Sequence, residues 1–165
     1  MMCLVTGAGG FIGSHLVNVL KSYSDYEVVV LLRDYVPKRW VNEALQGCVL
    51  VHGDIRSLPL LKRVITDYGV EWVFHLASQA IVKQAALNPL ETFDSNILGT
   101  VNVLEACRQL DVKKVLIQST DKVYGNVLDA TEETPLRATE PYSASKVAAD
   151  VIAQSYMKTY GMGMV

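Results

Sequence analysis

The sequence predicts a doubly wound α/β fold built on a parallel sheet. Three observations carry that expectation. Uniformly apolar runs recur along the chain, which is how strands covered on both faces read. Segments of helical period stand between them. The first such junction, "LVTGAGGFIGSHLV" from Leu4 to Val17, joins a strand, a glycine-rich turn and a helix start in immediate succession.

The elements follow in order. "MCLVT" is a short strand of buried type, and "FIGSHLVNVLKSY" has helical periodicity. "EVVVLL" and "CVLVHG" are the second and third strands, "LPLLKRVITDYG" a helix and "EWVFHLA" the fourth strand. From Asn88, "NPLETFDSNILGTVNVLEACRQLD" predicts one long helix. Asn88 is its expected cap, Pro89 sits in the first turn, and Glu91 completes a capping-box spacing. "VKKVLIQST" is the fifth strand and "PYSASKVAADVIAQSYMKTYG" the last helix. The stretch from Thr120 to Thr139 lacks a period, and a loop of that length in a compact domain is usually functional. The ending "GMGMV" reads as the opening of a sixth strand. The chain is therefore expected to be the N-terminal portion of a longer protein.

Composition narrows the partners. The 165 residues suffice for one domain with a real core. Half are hydrophobic, and the formal net charge is −2. No basic run is present, which argues against nucleic acid or an anionic membrane surface. The three cysteines, Cys3, Cys48 and Cys107, follow no metal-ligand spacing. They read as buried thiols in a reducing cytosol, with no metal site expected. No signal-peptide pattern and no apolar run of spanning length occurs, so a cytoplasmic protein is expected.

A strand, a glycine turn and a helix start form the phosphate-binding geometry of dinucleotide sites. Gly7 permits the tight turn, Gly10 lets backbone approach a pyrophosphate, and Gly13 lets the helix pack closely on the sheet. The first-turn N–H groups around Phe11 and Ile12 then face the phosphate charge. The spacing is G-x-x-G-x-x-G rather than the commoner G-x-G-x-x-G. A ribose contact belongs near the end of the second strand, where "LLRDYVP" offers Arg33 and Asp34. An acid there favours NAD and an arginine favours NADP; with both present, either cofactor fits. Asp54, in "HGDIR", is placed to accept from an adenine amino group with Ile55 against the ring, or else to cap a helix start.

Tyr142 and Lys146 stand four apart on a predicted helix and share a face. A lysine ammonium beside a phenol favours the ionised phenol, a base for a substrate hydroxyl. "STDKVYG" ends the fifth strand, and the carboxyl ends of such strands are where ligands bind. There Thr120 offers a hydroxyl to orient the same substrate oxygen, and Asp121 a carboxyl for acid chemistry.

These residues together resemble the extended short-chain dehydrogenase/reductase superfamily. Within it the sequence is similar to the NAD-dependent nucleotide-sugar epimerase/dehydratase family, and most similar to 4,6-dehydratases of the CDP-glucose, dTDP-glucose and GDP-mannose type. The matching segments are "TGAGGFIGSHLV", "GDIR", "FHLAS", "NPLETFDSNILGTVNVLEA", "STDKVYG" and "PYSASKVAAD", in family order along the whole chain. The resemblance implies a Rossmann-like NAD(P)-binding domain over residues 1–165, with the substrate-binding lobe beyond Val165. It implies that Gly7, Gly10 and Gly13 form the cofactor turn and that Leu76, Ala77 and Ser78 line the nicotinamide-ribose side. Asn96 would stand at the active-site end of the long helix. Thr120 matches the catalytic Ser/Thr, Tyr142 the base and Lys146 its partner. His75 reads as strand-end structure rather than catalyst.

The subfamily turns on Asp121 and Lys122. The resemblance implies an acid pair after the catalytic Ser/Thr in sugar 4,6-dehydratases, the first protonating the departing C6 hydroxyl and the second removing the C5 proton. Here Lys122 replaces the second acid. It serves as that base only if burial or a neighbouring positive charge makes it neutral; otherwise it is a solvated loop lysine. The expected reaction is oxidation at C4, loss of water across C5–C6 and hydride return to C6. A 4-epimerase is the alternative, and so is a cofactor-binding module without turnover. The resemblance further implies a homodimer through a four-helix bundle. Val147, Val151 and Ile152 would lie on its face, with Gly99, Ala106, Ala148 and Ala149 permitting close approach.

Overall fold

The computed structural model describes residues 1–34 and 38–165, and five parallel strands in it form one sheet. In chain order these are β1 (Met2–Thr6), β2 (Glu27–Leu32), β3 (Val49–His52), β4 (Trp72–His75) and β5 (Lys114–Ile117). The spatial order is β3-β2-β1-β4-β5. The order reverses between β1 and β4, the topological switch point where doubly wound sheets bind ligands.

The helices are α1 (Phe11–Lys21), α2 (Arg39–Leu45), α3 (Leu58–Tyr68), α4 (Val82–Leu87), α5 (Pro89–Phe93), α6 (Gly99–Gln109) and α7 (Pro141–Tyr160). A π turn, Asp94–Leu98, joins α5 to α6, and a 3-10 turn, Asp121–Tyr124, follows β5.

Strand side chains alternate between two cores, because successive residues point to opposite faces. Leu4, Val29, Leu31, Val73 and Val115 share one core with Leu61, Val64, Val103 and Leu104 from α3 and α6. Cys3, Val5, Val28, Val30 and Leu32 share the other with Val17 and Leu20 of α1 and Val41 of α2. Both faces of the central strands are covered, which is why β1, β2 and β4 are apolar through their interiors, with polar residues such as Thr6, Glu27 and His75 confined to strand ends. Each such leucine or valine contributes roughly 1.5–3 kcal/mol by leaving water.

The helix ends follow local chemistry. Ser57 caps α3, accepting from the Leu60 N–H, and Gly69 and Gly161 end α3 and α7 in the left-handed conformation. Three sequence expectations are corrected. Asn88 precedes α5 without a side-chain capping bond, so the Asn88–Glu91 box does not form; the Asn88 carbonyl instead accepts from the Thr92 amide and hydroxyl. The long helix is interrupted by the π turn. The short helices α2 and α4 were not expected, since seven and six residues hold too few turns to display a period. At the place expected for a sixth strand there is a single parallel bridge rather than a strand: Met164 bridges Val115, and Val115 N–H donates to the Gly163 carbonyl at 2.8 Å.

The small residues named for a helix-to-helix interface are largely used inside the chain. A Cβ on Gly99 would lie 2.5 Å from Cδ1 of Ile55. Ala106 and Ala149 are buried, and Ala106 belongs to the α3/α6 core. Cys3 and Cys107 are buried free thiols, pushed up to about 11 and about 12 by desolvation, whereas Cys48 is half-buried. No helix among the described residues is long and apolar enough to cross a membrane.

Candidate functional site

The glycine turn is built by close backbone approach. Gly7 has φ +76°, and a Cβ there would lie 2.6 Å from the Ala77 amide nitrogen and from the Leu76 carbonyl carbon. The turn thus sits against the end of β4, at the switch point. Gly13 is packed against the turn itself rather than the sheet: its Cβ would lie 2.2 Å from the Gly7 carbonyl oxygen. Helix α1 starts at Gly10 with no side-chain cap and no acidic residue in its first turn. Its N-terminal N–H groups and the positive end of its dipole face the cleft, the arrangement that suits an anion.

A cleft of about 670 Å³ runs along this edge of the sheet. Its size lies within the roughly 300–1,000 Å³ of small-molecule sites. Gly7, Gly10, Phe11, Ile12 and Gly13 line one wall. Arg33 and Asp34, with Asp54 and Ile55, close the end formed by β2 and β3, and Leu76, Ala77 and Ser78 follow β4. Tyr142 and Lys146 enter from α7. The residues fit a dinucleotide: bare backbone at an uncapped helix start, and polar groups at each end.

Arg33 and Asp34 are exposed and pair with each other at 2.7 Å. Asp54 is engaged by Arg56, accepting from its amide at 2.8 Å and from its guanidinium at 2.7 Å and 3.0 Å. Although desolvation pushes the other way, these bonds hold the Asp54 carboxyl below its usual range. Asp54 is not the cap of α3, a place taken by Ser57.

Helix α7 begins at a reciprocal cap. The Glu140 carboxylate accepts from the amides of Tyr142 and Ser143, each at 2.8 Å, while the Glu140 amide donates to Ser143 Oγ at 3.2 Å. Pro141 occupies the first helical position, where its missing N–H costs nothing. The phenol and the ammonium one turn later are both buried, and Lys146 Nζ donates to the Gln118 carbonyl at 2.5 Å. Desolvation lowers the Lys146 pKa, and the negative charge of Asp150 opposes that shift.

Thr120, Asp121 and Lys122 do not line the cleft; the neighbouring Gln118 and Ser119 do. Thr120 Oγ1 donates to Asp121 at 3.1 Å, and Lys122 Nζ approaches Asp121 at 3.4 Å. The Thr120 hydroxyl, then Lys122, hold the Asp121 carboxyl below its usual range. Lys122 is 55% exposed and lies beside a carboxylate, so neither condition for a neutral lysine base is met in the free chain. Asn96, in the π turn, lies behind the cleft wall: it bonds the Gln79 amide and carbonyl at 2.7 and 3.1 Å, and Ser145 Oγ at 2.8 Å.

Gln79, Ser95, Gln118 and Ser119 line the cleft without a sequence signal that singled them out. Nearness to strand ends pointed to Gln79, Gln118 and Ser119, whereas Ser95 lies in the π turn, where nothing local pointed to it. His75 is buried and bonded on both nitrogens, as a structural histidine should be.

Sheet order, glycine turn and switch-point cleft make this a Rossmann-like fold, the architecture of dinucleotide-binding proteins. The chain belongs to the NAD dependent epimerase/dehydratase family, which matches it over residues 3–165. A UDP-glucose 4-epimerase from Halalkalibacterium halodurans is 33% identical, covering 100% of this chain and 49% of the relative. The crystal structure of Thermus thermophilus UDP-glucose 4-epimerase in complex with NAD superposes with a TM-score of 0.90 at 37% identity, covering 99% of this chain and 53% of that one. A dTDP-glucose 4,6-dehydratase from Streptomyces venezuelae with NAD bound gives 0.88 at 33% identity, covering 99% and 54%. The chain spans from about a quarter to about half the length of the curated relatives it matches. Dehydratases and epimerases stand at similar identity, so the family is an NAD-dependent, nucleotide-sugar-modifying one without a single reaction.

Proposed function

We propose that this chain is the cofactor-binding and catalytic portion of an NAD(P)-dependent nucleotide-sugar 4,6-dehydratase. The observation that carries the dehydratase reading is the contact of Thr120 with Asp121 at the end of β5, a hydroxyl and a carboxyl side by side. NAD bound in the cleft would accept a hydride from the sugar and give it back. Gly7, Gly10, Gly13 and the amides of Phe11 and Ile12 hold the diphosphate, Arg33 or Asp34 the adenosine ribose, and Leu76 to Ser78 the far ribose.

Tyr142 takes the C4 hydroxyl proton as C4 is oxidised, with Lys146 supplying positive charge beside it. Thr120 orients the same oxygen. The resulting C4 ketone acidifies the C5 proton. Asp121 gives a proton to the departing C6 hydroxyl, so water leaves across C5–C6. Because the free carboxyl is held ionised, substrate must raise its proton affinity first. The C5 proton goes to Lys122, which the bound sugar must first desolvate, and is given back to C5 as the hydride would return to C6.

The same ionised, exposed Asp121 supports a second reading, a 4-epimerase, which needs no acid at C6. Both readings expect a homodimer. Exposed Leu90, Leu98 and Val151 on α5, the π turn and α7 support it. Incubation with NAD and a panel of nucleotide sugars separates the readings. A 4-keto-6-deoxy product, seen by its alkaline absorbance, is the expected result. Unchanged mass with inverted C4 stereochemistry would establish the epimerase. Cofactor heat in calorimetry without any turnover would reduce the chain to a binding module.

A further inference from the structure

His75 sits at the end of β4, in register with Thr6 of β1, at the switch point. Its surroundings decide its tautomer. Thr100 Oγ1 donates its single hydrogen to the Asn96 carbonyl at 2.7 Å. The Thr100 oxygen, 3.0 Å from His75 Nε2, is therefore an acceptor, and Nε2 carries the proton. His75 Nδ1 then accepts from Thr6 Oγ1 at 2.7 Å, and Thr6 Oγ1 in turn accepts from the Ala77 N–H at 3.3 Å. Every donor in this chain of bonds has one acceptor, and burial keeps the ring neutral so that the order cannot reverse.

The chain continues past Thr100. The Asn96 side chain grips both backbone groups of Gln79, a residue of the cleft wall, and donates to Ser145 Oγ. Ser145 lies on α7 between Tyr142 and Lys146, and its hydroxyl donates to the Tyr142 carbonyl at 2.7 Å. One continuous set of bonds thus links the end of β1 to the segment after β4 and to the helix that carries the phenol.

We propose that His75 is a positioning residue, whose neutral imidazole ties β1 to the π turn and through Asn96 sets the spacing between the Gln79 wall and α7 across the nicotinamide end of the cleft. The inference rests on the dinucleotide reading given above. It concerns only the half of the cleft far from Arg33 and Asp34, and this separates it from a general effect on stability.

Calorimetry on the 165-residue chain with NAD⁺ and with ADP tests it. ADP reaches the glycine turn and the end of β2 but lacks the nicotinamide half. The wild-type chain is expected to bind NAD⁺ more tightly than ADP. His75→Leu should weaken NAD⁺ binding about tenfold, the scale of one or two lost hydrogen bonds, and leave ADP binding within about twofold. His75→Gln keeps an acceptor and a donor at similar separation and should recover most of the NAD⁺ affinity. Equal losses for both ligands, or no loss, would overturn the inference while leaving the dinucleotide reading intact. If His75→Leu does not fold, Thr100→Val removes the next oxygen in the chain and should show the same split; an unsplit result there overturns it equally. A wild-type chain that binds neither ligand overturns the dinucleotide reading itself.

Discussion

A Cβ placed on Gly13 would stand 2.2 Å from the carbonyl oxygen of Gly7. The neighbour is backbone in a tight turn and cannot swing aside. Gly13→Ala should therefore destabilise the fold by about 1–3 kcal/mol, the usual cost of overpacking. Gly10→Ala meets the same oxygen only at 3.2 Å. Its loss should be about 1 kcal/mol or less, from the poorer helix cap. Urea midpoints of the two variants measure the contrast, and equal midpoints would contradict it.

His75 makes stability depend on pH. Burial first, then the charge of Lys146, push it down to about 3, from an ordinary value of 6.5. Below about pH 6.5 the unfolded chain binds this proton and the folded chain does not, so stability falls as pH falls. The contribution is complete above the unfolded value and is lost progressively down to about pH 3. At about pH 5.5 the expected loss is about 1.4 kcal/mol. Denaturation of wild type and His75→Gln at matched pH should show that slope in the wild type only; parallel curves would refute it.

The cap of α7 places Tyr142 as well as starting its helix. Glu140 satisfies the Tyr142 and Ser143 amides together. Glu140→Ala should cost about 1 kcal/mol of stability. Glu140→Gln, which keeps an acceptor oxygen, should lose less. Amide hydrogen exchange at Tyr142 and Ser143 should accelerate in the alanine variant and leave β1 and β4 protected.

Lys146 is pulled toward the neutral form by burial and held back by Asp150. Asp150→Asn should move the lysine pKa further down, because a stabilising negative charge is removed. The carbon-13 shift of the dimethylated Lys146 amine, titrated in both proteins, reads this directly. An upward or zero displacement would show that Asp150 does not act on it. Asp150 also accepts from the hydroxyl of Ser119 at 2.9 Å, so Ser119→Ala serves as a control that keeps the charge.

The parallel sheet, the glycine turn and the Tyr142–Lys146 pair were legible in the amino-acid sequence, because each depends on residues within a turn or two of one another. Apolar runs mark strands covered on both faces, a left-handed turn requires a glycine at position 7, and a four-residue spacing puts two side chains on one helical face. Only the tertiary structure decided the order β3-β2-β1-β4-β5 and what it brings together. Asn96 and Ser145 are 49 residues apart and His75 and Thr6 are 69 apart, and no local period relates them. The tertiary structure also left Asp121 and Lys122 in solvent and turned Gly99 against Ile55. The physical reason is the range of the forces: turn chemistry and hydrophobic period act between near neighbours, whereas burial and side-chain hydrogen bonds depend on which distant strands the folded sheet sets side by side.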